Sequence, residues 1–158
     1  MIRFKVKPLS VNQAFKGKRF RTGAARLFFD RVILAWRELK KSIRPNLPKK
    51  GHLFVHYRYG VSNMGTDADN PTKSFQDALF FALGENDKRV RFMLIEKVKA
   101  PKSEEFIDWH VDSEALLIPY LERLIADLKR ADKKSTQRGK STAPAQTELD
   151  IGEADLET

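Results

Sequence analysis

A chain of 158 residues with 41% hydrophobic content is long enough for one domain with a real core plus a tail. It has no Cys, which excludes disulfides and thiolate metal sites and leaves oxygen or His ligands for any metal. The net charge of +9 is uneven: residues 1–50 carry 15 basic and 2 acidic side chains, whereas residues 51–132 carry 11 and 14.

The basic first third suits binding of a polyanion, and the acids gather further along. No apolar run approaches the length of a transmembrane helix, and MIRFKVKPLS alternates instead of forming a signal-peptide block. A soluble, cytoplasmic protein with no membrane partner is expected.

In chain order, Ile2, Phe4 and Val6 alternate with Arg3, Lys5 and Lys7, predicting a half-buried strand that Pro8 ends. Residues 9–21 read as a loop in which Lys16, Lys18, Arg19 and Arg21 mix with Phe15 and Phe20. Such a mixture can grip a nucleic-acid backbone and stack on an unpaired base, or the aromatics can simply anchor the loop to the core. Thr22 is placed to cap a helix reaching about Ile43, with Ala25, Phe28, Phe29, Val32, Ala35, Trp36, Leu39 and Ile43 on its apolar stripe and Arg26, Arg37, Lys41 and Arg44 outside. Arg26 and Arg37 join the loop cations as candidate DNA contacts. After the turn PNLPKKG, alternation in HLFVHYRYG predicts a second strand. His52 and His56 share a face of it and are assigned no metal.

Residues 67–87, DADNPTKSFQDALFFALGEND, carry the chemistry. Asp67 and Asp69 stand in a loop, and Asn70-Pro71 is a helix-start pair in which Asn caps and Pro occupies the first helical position. A helix from Asn70 to Leu83 puts Asn70, Lys73 and Asp77 on one face and Phe75, Ala78, Leu79 and Ala82 on the other. Two hard carboxylates can hold a Mg²⁺ that keeps several waters, and a nearby Lys can meet charge developing on phosphorus, which suits phosphodiester hydrolysis. The competing reading is a solvated loop with a cap and an ordinary Lys73–Asp77 surface pair. A calcium-binding EF-hand does not fit, since Thr72 stands where that loop needs Gly and Ala78 where it needs Glu.

Gly84 is expected to make the exit turn. VRFMLIEKV, apolar on both faces at its middle, reads as a strand central in the sheet, APKSEE as a hairpin-like loop, and FIDWHV as a fourth strand. Residues 113–131 read as a helix kinked at or starting from Pro119, with Leu121, Leu124, Ile125 and Leu128 as its amphipathic set. From Lys133 onward the composition predicts a disordered tail.

These residues resemble the RusA-type Holliday-junction resolvases, small endonucleases of bacteria and their prophages. The likeness covers roughly Met1 to Val111 and rests on Asp67, Asp69, Asn70, Lys73, Asp77 and Asp87 with Val90, and on the opening Pro8, Ser10 and Asn12 before a basic loop. Asn86 precedes Asp87 where the family often has a second acid, and the region beyond Val111 has no counterpart in the compact family core. The resemblance implies a homodimer that nicks four-way DNA junctions symmetrically with Mg²⁺, for which Mn²⁺ could substitute. It also implies Asp67, Asp69 and Asp87 as metal ligands, Lys73 steadying the scissile phosphate, and Asn70 and Asp77 orienting the loop and Lys73. The rival functions are a non-catalytic DNA- or RNA-binding protein and a nuclease for other branched DNA.

The expected architecture is a single α+β domain, β-α-β-α-β-β-α, with a mixed sheet: an endonuclease-like core over 1–111, a helical extension over 112–132 and a disordered tail over 133–158. A helix from Asn70 to Leu83 is about 20 Å long, so parallel strands on either side of it would separate Asp87 from Asp67. Either those strands run antiparallel, or Asp87 completes the acid pair of the other subunit.

Overall fold

The computed structural model describes residues 1–16, 20–43, 45, 47–65, 67 and 69–140, with the backbone alone for 16, 20 and 134–140. It has an α+β fold around a mixed four-stranded sheet. The first strand, β1 (Ile2–Phe4), is followed by a one-turn helix α1 (Val11–Ala14) and two short strands, β2 (Phe15–Lys16) and β3 (Phe20–Arg21), which pair antiparallel. The segment expected to be a plain loop is thus a helical turn and a small hairpin. Ser10 starts the turn by accepting a hydrogen bond from Gln13 N.

Helix α2 (Gly23–Leu39) begins where Thr22 accepts a hydrogen bond from Ala25 N at 3.1 Å. It stops four residues short of the expected Ile43. Strand β4 (Leu53–Val61) comes next, then α3 (Thr72–Leu83), closed by Gly84 in the left-handed conformation at φ 72°. Strands β5 (Val90–Lys99) and β6 (Phe106–Ser113) complete the sheet.

Strand order is β1-β6-β4-β5, with β5 parallel to β4 and β6 antiparallel to both β1 and β4. This corrects two expectations. The apolar VRFMLIEKV strand is an edge strand, and APKSEE is no hairpin loop, because β6 passes to the far side of β4. Phe92 and Met93 are accordingly 42% and 43% exposed. Central position falls to β4, buried along nearly all its length.

One face of the sheet holds the core. Leu53, Val55, Tyr57 and Tyr59 of β4 and Ile107, Trp109 and Val111 of β6 meet Phe28, Val32 and Trp36 of α2 and Phe75, Ala78 and Leu79 of α3. The Phe75 ring meets Phe4, Tyr57 and Tyr59 edge-on, and Trp109 meets Phe4 and Trp36 in the same way. Losing a ring so placed costs about 3–5 kcal/mol, so Phe75 fixes α3 to the sheet.

On the opposite face, Asp108 joins three strands. It lies in register with Arg3 of β1 and Arg58 of β4. Arg3 donates to both carboxylate oxygens at 2.6 and 2.9 Å, and Arg58 donates twice to Oδ2, at 3.1 and 2.7 Å. Asp108 is only 3% exposed, and these charge-assisted bonds outweigh the cost of its burial.

Residues Met1–Leu117 form one compact unit. Beyond it, α4 (Leu117–Lys140) runs past Lys133, where a tail is expected to begin; the rest of that tail lies outside the described residues. Pro119 sits in its first turn, where its missing N–H has no intrahelical partner to lose. Ile118, Ile125 and Leu128 are exposed. Among the described residues no helix is long and apolar enough to cross a membrane.

Candidate active site

Central strand β4 delivers the chain at Val61 to the loop that bears the two aspartates, and that loop is braced from three directions. Ser62 donates through N and Oγ to Glu105 Oε1, at 2.9 and 2.6 Å. From β5, Lys99 Nζ donates to the Ser62 carbonyl and Lys97 Nζ to the Met64 carbonyl at 2.6 Å. At the loop's end the Asp69 carbonyl accepts from Thr72 N at 2.9 Å as α3 starts.

Asn70 does not cap α3 through its side chain. Helix α3 starts two residues later than the Asn-Pro pattern predicts, with Pro71 at the cap position and no side-chain cap bond. The Asn70 side-chain oxygen instead accepts from Val11 N at 2.9 Å, and its backbone carbonyl accepts from the same N–H at 3.1 Å. The loop is thereby tied to the Pro8–Val11 segment.

Asp67 and Asp69 are exposed. Asp67 borders a cleft of about 110 Å³ together with Pro8, Ser10, Gln13, Tyr59 and Lys97. The Tyr59 hydroxyl, pushed above its usual pKa by burial, donates to Thr72 Oγ1 at 3.2 Å and fixes the first turn of α3. One turn along, Lys73 is exposed and lies 3.8 Å from Asp77, the expected i, i+4 pair. Asp77 also lies 3.9 Å from Arg21, whose guanidinium covers the Phe29 ring.

Asp87 is elsewhere. It opens the 3-10 turn Asp87–Arg89, which Asn86 caps by accepting from Lys88 N at 3.0 Å. It borders a second, open cleft of about 570 Å³ with Arg21, Phe29, Asp77, Phe81 and Glu85.

Because β4 and β5 are parallel, Val90 pairs with Leu53 and Lys97 with Tyr59. Asp87 therefore enters at the Leu53 end, and the Asp67 loop leaves beyond the Tyr59 end, with about 20 Å of strand between those two register points. The antiparallel alternative is excluded. Among the described residues no three His, Cys, Asp or Glu side chains stand together as a set that could hold one metal ion. Asp67 and Asp69 offer the hard, solvent-facing oxygens that suit Mg²⁺ with several of its waters retained.

Of the candidate DNA contacts, Arg26 and Arg37 are exposed along α2 and Arg21 is exposed on β3. Lys16 has its backbone in β2; Lys18 and Arg19 lie outside the described residues. Sequence reading missed Lys97. Its local signal is a cation two positions beyond Ile95, on a strand face that runs Arg91, Met93, Ile95, Lys97.

No protein-family model matches the chain, and no curated protein matches it.

Proposed function

We propose that this protein is a RusA-like, Mg²⁺-dependent endodeoxyribonuclease that acts as a homodimer on four-way DNA junctions in the cytoplasm of a bacterium or phage-infected cell. The observation that carries the reading is the Val11–Asn70 clasp, which joins the two sequence stretches on which the family resemblance rests, around an exposed Asp67-x-Asp69 pair. Bound Mg²⁺, or Mn²⁺ in its place, would neutralise a phosphate oxygen and lower the pKa of a water. Asp67 and Asp69 hold that ion; Lys73, four residues beyond Asp69 on the first turn of α3, meets charge on the scissile phosphate, and Asp77 orients Lys73. Arg21, Arg26 and Arg37 supply cationic surface for the DNA arms.

The parallel β4–β5 register supports a site shared between subunits, in which the partner's Asp87 completes the acid pair. The test is nicking of a synthetic four-way junction against linear duplex of the same sequence, with and without Mg²⁺, beside Asp69→Asn. Paired nicks that need junction, metal and Asp69 are expected, and Asp69→Asn should bind at least as tightly because it removes negative charge near phosphate. Binding without nicks in Mg²⁺ and Mn²⁺ would instead identify a non-catalytic nucleic-acid-binding protein. Mixing Asp67→Asn with Asp87→Asn subunits should restore one intact centre per heterodimer; no recovery would refute the shared site.

A further inference from the structure

We propose that the outer face of α2 docks the acidic segment 148–157 of this protein, and that the docked segment keeps nucleic acid off Arg26 and Arg37. The docking stands on α2 and on the sequence of that segment; the competition with nucleic acid rests on the function proposed above.

Helix α2 buries one side through Ala25, Phe28, Val32 and Trp36 and leaves the other bare. On the bare side Leu27 and Leu34 are 61% and 55% exposed. Seven residues apart, they stand one above the other, about 20° out of line at 3.6 residues per turn. Arg26 and Arg37 flank this pair on one edge and Arg31 on the other; all three are exposed, and none is ion-paired among the described residues. Asp30 and Glu38 share the face, but from Gly23 to Lys41 there are five cations against two acids. That excess repels a second copy of the same face and attracts an acidic partner.

The segment 148–157, ELDIGEADLE, carries the matching pattern, with five acids and no cation. Leu149 and Leu156 are likewise seven apart, and Glu148, Asp150, Asp155 and Glu157 each adjoin one of them. In a helical register those acids fall on both flanks of the leucine pair, as the arginines do on α2. Leucine against leucine removes from water the apolar area that α2 leaves exposed, and the flanking acids meet guanidiniums beside a contact that excludes solvent. Arg26 and Arg37 are also the proposed contacts for DNA arms, so the segment and a phosphate backbone draw on the same cations.

The probe is a dye-labelled peptide of residues 145–158. Its host is the full-length protein with its own segment neutralised by Glu148→Gln, Asp150→Asn, Glu153→Gln, Asp155→Asn and Glu157→Gln. Fluorescence anisotropy should show saturable binding that weakens as salt is raised. Wild-type protein should bind the peptide several-fold more weakly, because the acidic segment already present competes. In the neutralised host, Arg26→Gln with Arg31→Gln and Arg37→Gln should abolish binding. Leu27→Ser with Leu34→Ser should weaken it several-fold with every charge in place, and Lys49→Gln with Lys50→Gln should leave it unchanged, each variant keeping the unfolding midpoint of the host. Equal binding of a peptide of the same composition with its two leucines adjacent, or an equal loss in the lysine control, would overturn the docking, since attraction between opposite charges would then suffice. For the competition, the neutralised host should bind a four-way junction several-fold more tightly than wild type, and equal affinities would overturn it. Absence of junction binding by both proteins would overturn the nuclease reading and leave the docking standing on the peptide result.

Discussion

Val11 and Asn70, 59 residues apart, are joined twice over: one backbone N–H serves both the side-chain and the main-chain oxygen of the same asparagine. Asn70→Ala removes the side-chain acceptor and leaves the weaker main-chain contact, so global stability should fall by only about 1 kcal/mol in urea unfolding. Junction nicking should fall by more, roughly tenfold, because only the longer main-chain contact then ties the acid loop to the Pro8–Val11 segment. Equal, small losses in stability and nicking would show that the clasp does not position the aspartates.

Acid should unfold the protein in two separable stages. His56 is 1% exposed, and desolvation, followed by the charges of Arg58 and His110, lowers its pKa from 6.5 to about 4. The folded state therefore disfavours the protonated ring, and the unfolded state takes up the proton first. Stability from this residue is complete above pH 6.5 and declines as pH falls toward 4. Asp108 is held below its ordinary value of 3.8: burial opposes its charge, but the bonds from Arg3 and Arg58 prevail. Its contribution persists above that value and is lost only at more acidic pH, as the depressed pKa is crossed. Urea midpoints measured between pH 3 and 7 should show both declines. His56→Gln should flatten the upper one and Asp108→Asn the lower, the latter at a cost of roughly 2–3 kcal/mol at neutral pH.

Gly60 leaves no room for a side chain. A Cβ there would lie 2.3 Å from the Phe106 ring, which itself lies under the Arg3 guanidinium at 3.7 Å. Gly60→Ala should destabilise by about 1–3 kcal/mol in denaturant unfolding. Adding Phe106→Leu should recover part of the loss, since the smaller side chain vacates the clash. A simple sum of the two single losses would mean that the ring is not the obstacle.

Local pattern revealed what local spacing determines. The alternation in β4, the stripe of α2, the Thr22 and Gly84 caps and the Lys73–Asp77 pair all follow from residues within a turn or two of each other. Strand order was not so accessible. An apolar run such as Phe92–Ile95 signals burial, but whether it lies at the centre or edge depends on where β6 inserts, and that is decided by pairing across the whole chain. The destination of the Asn70 side chain was hidden for the same reason: its partner is remote, and an Asn-Pro pair looks like a cap whatever the side chain finds. Lys97 reaches the acid loop only through the parallel register with β4, which no spacing within β5 reveals.

The pairing of β1 with β6 has a consequence for synthesis. Arg3 must wait for Asp108, 105 residues later, before it has its partner, and Ser62 must wait for Glu105. During translation the aspartates emerge well before the residues that hold their loop, so a nascent chain carries the acid pair without its braces. Assembly of the candidate site is thus timed by the last strand: a product halted after Asp87 and before Glu105 contains every proposed reacting group and lacks the partners of Arg3 and Ser62.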